Sequence, residues 1–308
     1  MEKPLRDPCR LTLGPLLFNW PAERWQDFYA RIADEAAVDR VCLGEVACSK
    51  RLPFYADRLP DTIERLQRGG KRVVLSSLGL VTLPRERQLS AELLADDSLD
   101  VEVNDLTLLA YLRPGRRFAV GPLVNVYIEG TLSFLASCGA THVCLPPELP
   151  LDAVATLAAA GRSLDVEVEV WAFGRVPLAI AGRCYHARVH GLAKDSCRFV
   201  CGEDADGLTV ETVDGRRFLA INGVQTLSAT YGSALTDLAA LTAAGIGSLR
   251  LSPQSGNMVA VAALFRRTLN GEIDAEAAIA ALSGLLPGVA FSNGFLTGAC
   301  GAAFERAP

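Results

Sequence analysis

Three cysteines, Cys184, Cys197 and Cys201, lie close together in the stretch GRCYHARVHGLAKDSCRFVC, and a fourth, Cys48, lies far upstream in GEVACSKR. Each falls in a polar stretch, where a thiolate can meet a metal. Three clustered thiols plus one remote thiol is the donor set of a four-coordinate iron–sulfur or zinc site. Zinc is the competing reading. Structural zinc usually takes two short C-x₂₋₄-C pairs, and only Cys197 and Cys201 make one here, which tilts the choice toward iron–sulfur. Four thiolates around a 2+ iron–sulfur core leave a net charge of about −2. Arg183, Arg188, Lys194 and Arg198 surround the three clustered cysteines, and Lys50 and Arg51 follow Cys48. Cations so placed are expected to lower thiol pKa values and to offset that charge. A solvated basic loop is the plainer account of the same residues.

The other five cysteines read differently. Cys42, Cys138 and Cys144 sit in or beside apolar runs, as ordinary buried thiols do. Cys9 and Cys300 lie near the ends and say little. His186 and His190 stand four apart and are candidates for ligation or proton transfer, although such pairs are most often merely solvated. AGIGSLR precedes a strand rather than following one, so it is no dinucleotide loop. The chain has no P-loop, no G-x-S-x-G elbow and no H-E-x-x-H.

Position gives these residues their meaning. Short β-branched runs at 11–18, 40–46, 72–78, 100–104, 118–122, 142–145, 166–173 and 248–252 predict strands. Helical patterns at 22–38, 59–68, 85–95, 106–112, 129–137, 151–160, 233–244 and 256–270 fall between or after them. Strict alternation implies a parallel sheet, and eight units suggest an α/β fold of the (β/α)8 TIM-like barrel type. An open doubly wound sheet is the runner-up. The expected organisation is a single barrel domain over 1–308 with a Cys-rich insertion after strand 7, at about 174–224. Within the insertion, LTVETV and RRFLAI flank Asp214-Gly215, a hairpin signal. Cys48 would follow strand 2 and the other three strand 7, so all four would lie at the C-terminal face, where barrel enzymes keep their sites. Strands 2 and 7 are not neighbours, so the insertion must fold back across the mouth. Glu45, Asn104, Asp105, Asn125, Glu148 and Arg175 end strands and would point at the same mouth. Asp105 reads better as a helix N-cap.

Composition narrows the class. Among 308 residues half are hydrophobic, enough for a large core, and the net charge of −5 argues against a general nucleic-acid binder. No run of about 18 apolar residues occurs, so no transmembrane segment is expected. The opening MEKPLRDPCR has no apolar core of a signal peptide, so a cytoplasmic setting with reduced thiols is expected. An odd count of nine cysteines speaks against a disulfide framework.

Several segments, LGEVACSKR, VEVNDL, GPLVNVY, CLPPELP, WAFGRVPLAIAGRCYHAR, KDSC-x₃-C, LRLSPQ and NGFLTG, follow one another over nearly the whole chain. In this order they resemble the collagenase-like peptidase family, in its branch devoted to ubiquinone biosynthesis. The resemblance implies a [4Fe-4S] cluster held by Cys48, Cys184, Cys197 and Cys201. It implies a heterodimer with a UbiU-like homologous chain, a UbiT-like lipid-binding helper and a small-molecule ubiquinone precursor as substrate. The implied role is that of an enzyme subunit in oxygen-independent hydroxylation of the aromatic ring. No catalytic residue beyond the cluster ligands is identified. A peptidase, suggested by the family name, and a non-catalytic metal-stabilised partner protein are the alternatives.

Overall fold

The computed structural model describes residues 9–305. Residues 1–8, on which the expectation of no leader mainly rests, lie outside them. Seven parallel strands come first: β1 (Arg10–Leu13), β2 (Arg40–Leu43), β3 (Arg72–Ser76), β4 (Asp100–Val103), β5 (Phe118–Val120), β6 (Ala140–Cys144) and β7 (Glu167–Ile180). The insertion adds β8 (Leu208–Glu211), β9 (Arg217–Asn222) and β10 (Gln225–Ser233), after which β11 (Ser248–Leu251) and the short β12 (Phe291–Ser292) complete the set. β11 pairs in parallel with β7 on one side and β1 on the other, which closes the barrel as expected. Its registers run from Arg10↔Ser248 to Leu13↔Leu251 and from Ser248↔Glu169 to Leu251↔Phe173.

Helices α1 (Ala22–Glu35), α2 (Leu59–Arg68), α3 (Pro84–Ala95), α4 (Glu129–Ser137) and α5 (Leu151–Ser163) cross between the first strands. α6 (Tyr185–Val189) is a single turn in the insertion, and α7 (Leu238–Ala244), α8 (Met258–Leu269), α9 (Ala275–Leu285) and α10 (Gly294–Thr297) follow. Asn257 and Asp274 cap α8 and α9 by accepting from Ala260 N and Ala277 N. Leu11, Val41, Leu43, Val101, Val143, Val168 and Leu249 are buried and belong to the main apolar core.

Strand periodicity then sets Thr12, Cys42, Glu102, Cys144, Glu169 and Arg250 on the other face, inside the barrel. All six are buried, so the barrel interior is polar. Arg250 lies between Glu102, with which it pairs, and Glu169, whose Oε2 is 2.6 Å from its Nε. Burial raises both carboxyls, but Arg250 outweighs it and holds Glu102 below the ordinary range and Glu169 well below it. Cys42 and Cys144 are buried here with thiol pKa values pushed up, as core cysteines should be.

Four details depart from the expected pattern. The helix foreseen at 106–112 is a 3-10 segment, Leu106–Tyr111, with Asp105 as its N-cap. The helix foreseen at 233–244 begins only at Leu238, because 225–233 form β10. β10 returns antiparallel on β7, which therefore extends to Ile180 instead of stopping at the barrel mouth, with Gln225↔Ile180 and Tyr231↔Arg175 in register. The C-terminal α9 and β12 were not foreseen, and β12 pairs with β10 at Tyr231↔Phe291. The Asp214-Gly215 hairpin forms as read, with Gly215 at φ +76. Among the described residues no helix is long and apolar enough to cross a membrane.

Candidate metal centre

Gly44 ends β2 at φ +121, where a Cβ would lie 2.5 Å from the Ser76 carbonyl oxygen. The chain then turns at Glu45, whose carboxylate accepts from the backbone N–H of Ala47 and Cys48 at 2.8 and 2.9 Å. Tyr55 Oη donates to its second oxygen at 3.4 Å. Burial raises the Glu45 pKa against the pull of Arg51 and the two N–H groups. Glu45 thus shapes the Cys48 loop from beneath.

The insertion folds back onto this loop. Lys50 Nζ donates to the carbonyls of Lys194 and Asp195 at 2.8 and 3.3 Å and lies 3.5 Å from Cys197 Sγ. Phe54 meets Phe199 edge-on, with centroids 4.7 Å apart. Cys201, the most buried of the four thiols, receives Asn19 Nδ2 at 3.5 Å. Cys184 caps the turn of α6 by accepting from Ala187 N at 3.4 Å.

Arg51 sits at the centre, 2 % exposed. Its guanidinium donates to Leu17 O at 2.8 Å and to Asn222 Oδ1 at 2.9 Å, while Nε has no hydrogen-bond partner. Burial works against its charge, but Glu45, Cys201 and Cys48 outweigh it and hold its pKa above the ordinary value. Cys184 responds to Cys201 and Cys197 as well as to Arg51. Cys48, Cys184 and Cys201 thus feel one buried cation, Arg51, while Cys197 is tied to Lys50 and to Cys184. Cations do pull on two of these thiols in the expected direction, but they do not set the net shift. Burial pushes Cys48 and Cys184 up, and Arg51 only partly opposes it.

A buried guanidinium with an unpartnered Nε, coupled to Cys201 and Cys48, suits an anionic thiolate centre. Among the described residues no three His, Cys, Asp or Glu side chains stand close enough to hold one metal ion. The thiols share a region without being drawn onto a point.

His186 and His190 stack with centroids 5.5 Å apart. His186 is buried with Nε2 3.0 Å from Asp204 Oδ2, and His190 Nδ1 bonds to His186 O at 2.9 Å, so both serve the packing of the insertion. Of the polar strand ends, Asn104 is buried at the mouth and donates to Glu102 Oε1 at 3.1 Å. Asp105 accepts from Val81 N and Thr107 N. Asn125 adopts φ +61 in a turn, and Glu148 accepts from Tyr127 on the surface. Arg175 spends its donors on the carbonyls of Asp206, Ser228 and Ala229. Sequence reasoning named Arg51 only as one of several basic neighbours and missed Asn222. A cation three residues past a ligand-type cysteine was the available signal for the first, and nothing local marked the second.

A closed (β/α)8 barrel with a thiol-bearing insertion over its mouth is the class that fold and site define. The chain belongs to Peptidase family U32, whose family model matches residues 23–298. Among solved structures it is similar to the spore coat polysaccharide biosynthesis protein spsE of Bacillus subtilis, with 12% identity over 98% of this chain and 76% of that one, at a TM-score of 0.48. It is similar to N-isopropylammelide isopropylaminohydrolase of Burkholderia multivorans, with 13% identity over 90% and 72%, at 0.45. A putative galactarate dehydratase of Agrobacterium radiobacter matches with 16% identity over 54% of this chain, at 0.34, and the match spans only 45% of that enzyme.

Proposed function

We propose that this chain is an iron–sulfur subunit akin to UbiV, working with a UbiU-like homologous chain in the oxygen-independent hydroxylation of a ubiquinone precursor. The observation that carries the reading is the return of the insertion onto the Cys48 loop, where Lys50 Nζ bonds the Lys194 and Asp195 carbonyls and lies 3.5 Å from Cys197 Sγ, beside buried Arg51. A single zinc ion would need its sulfurs about 3.8 Å apart, given Zn–S distances of about 2.3 Å. The sequence offers only one short cysteine pair, Cys197 and Cys201, where structural zinc usually takes two, which favours the cluster. Bound there, such a cluster supplies one-electron transfer, with all four irons ligated by protein. The chain's own residues do the rest. Glu45 fixes the Cys48 loop, Lys50 ties that loop to the insertion, and Arg51 and Lys50 place positive charge beside the sulfurs.

The family name favours a peptidase, and one grouping deserves comparison with a catalytic triad. His142 Nε2 lies 3.4 Å from Ser248 Oγ and 3.6 Å from Glu169 Oε1. Both partners, and Arg40 Nη1 at 2.9 Å, meet the same ring nitrogen, so no proton relay runs through the imidazole. Ser248 is wholly buried. The grouping is a core network at the start of the strands, away from the mouth.

The test is anaerobic purification with iron and sulfide analysis, joined to a deletion strain grown with and without oxygen. About four irons and four sulfides per chain, and ubiquinone lost only without oxygen, are expected. Stoichiometric zinc, or normal anaerobic ubiquinone in the deletion strain, would defeat the reading.

A further inference from the structure

The ring of helices around the barrel has a gap. α2 packs along α1, and α3 packs against the 3-10 segment Leu106–Tyr111, with no comparable packing between α2 and α3. The barrel wall shows the result. Leu43, Leu75 and Val101 stand side by side in register on β2, β3 and β4 and point outward. Leu43 and Val101 are at most 1 % exposed, whereas Leu75 between them is only half-buried. A hollow of about 240 Å³ lies over it, larger than the roughly 150 Å³ in which an engineered apolar cavity takes benzene.

Six leucines line the hollow. Leu52 and Leu59 stand before and at the start of α2, Leu75 and Leu78 at the end of β3, and Leu89 and Leu93 on α3. None of the six is fully buried, so each presents surface that a molecule in the hollow can touch. One exposed leucine is ordinary, but six around a single space make a binding surface.

The polar groups around it are already satisfied. Ser49 Oγ donates to Glu86 Oε1 at 2.7 Å, Ser76 Oγ to Glu102 Oε1 at 2.9 Å and Ser90 Oγ to Glu86 O at 2.8 Å. Ser77 Oγ accepts from Asn104 N at 2.9 Å, and both oxygens of Glu45 are engaged by the Cys48 loop and Tyr55. No lysine, arginine or histidine lines the hollow, so an anionic group finds no partner there. We propose that this gap on the outer wall of the barrel seats an aliphatic group of an uncharged molecule, held by the leucines alone. Gly44 and Glu45 line it ahead of Cys48 and Ser49 lines it just after, so an occupant packs against the loop that carries that thiol.

Ligand-observed NMR on the full chain, prepared anaerobically, tests this with 1-butanol, 1-hexanol, 1-octanol and octanoate. Saturable binding of the alcohols is expected, tightening about fourfold for each added CH₂ until the hollow is filled. Octanoate should bind more weakly than octanol. Leu89→Gln, on the exposed side of α3 and neutral for helix formation, should weaken octanol about tenfold. Leu59→Gln, on the opposite wall, should do the same and serves if Leu89→Gln proves unstable on thermal unfolding. Phe134→Gln, which removes a still more exposed apolar side chain on α4 away from the gap, should change nothing. An affinity flat with chain length, octanoate as tight as octanol, an equal loss in Phe134→Gln, or no saturable binding overturns the proposal. The gap does not depend on the reading of the cysteines: Cys201→Ala should lose iron and keep octanol. Loss of octanol in that variant would refute a separate site.

Discussion

Arg51 and Asn222 lie 171 positions apart, yet the guanidinium of one donates to the amide oxygen of the other at 2.9 Å, and both donate to Leu17 O. This pair joins the loop after β2 to the hairpin of the insertion beneath the thiols. It is a charged centre made by two segments, neither of which builds it alone.

Cysteine substitutions should fall into two classes. Cys48→Ala, Cys184→Ala, Cys197→Ala and Cys201→Ala are each expected to abolish or destabilise iron binding, measured as iron per chain and visible absorption. Cys42→Ala and Cys144→Ala, in the barrel core, should keep the iron and cost about 1 kcal/mol in packing. Iron lost from Cys144→Ala but kept by Cys184→Ala would reverse the assignment.

Arg51→Met should lower iron retention and destabilise the fold by about 2 kcal/mol, from two hydrogen bonds of a buried charged group. Arg51→Lys should not restore it, since one ammonium on a different stem does not reproduce the fork that spans Leu17 and Asn222. Full iron content in Arg51→Met would reduce the residue to a mere strut.

Acid should expose the barrel interior. Glu102 and Glu169 have folded pKa values below their unfolded value of about 4.3. Their contribution to stability is present above that value and is lost as pH falls toward the depressed ones. In Arg250→Met the sign inverts. The two carboxyls, buried without their cation, are then driven above about 4.3 and favour the fold only at low pH. The stability gap between wild type and variant, about 3–5 kcal/mol near neutrality, should narrow on acidification. Urea unfolding at neutral and mildly acid pH checks this, and a gap that widens with acid contradicts the account.

Gly44→Ala should disturb the Cys48 loop. Its φ of +121 and the 2.5 Å approach to Ser76 O leave no room for a methyl group. A loss of about 1–3 kcal/mol is expected, together with reduced iron content, and thermal unfolding with iron analysis reads both. Wild-type values of each would show that the turn relaxes freely.

Much of this was legible in the residues. Eight runs of alternating or apolar β-formers placed the barrel strands, because a parallel strand buried on both faces has a strong signature. Leu59–Arg68 and Glu129–Ser137 were bounded correctly by their flanking signals. The failures lie where pairing overrides local preference. Gln225–Ser233 reads as loop and helix start, and becomes a strand only because the extended β7 offers it an edge. Leu106–Tyr111 has a helical pattern but tightens to 3-10 geometry over a short span. At the site the four candidate thiols stand out by type and spacing. Arg51 beside them does not, since a buried cation and a solvated one are the same letter. The gap between α2 and α3 was invisible too, because it exists only where two helices are held apart.

The contact of Lys50 with Cys197 closes a loop of 147 positions. A loop that long costs chain entropy that only prior structure can offset. In the folded chain Cys48 and the insertion meet over a barrel that β11 shuts by bridging β7 and β1. The contact between the Cys48 loop and the insertion is therefore expected to form late in folding. On the proposed reading, metal uptake would report a finished barrel.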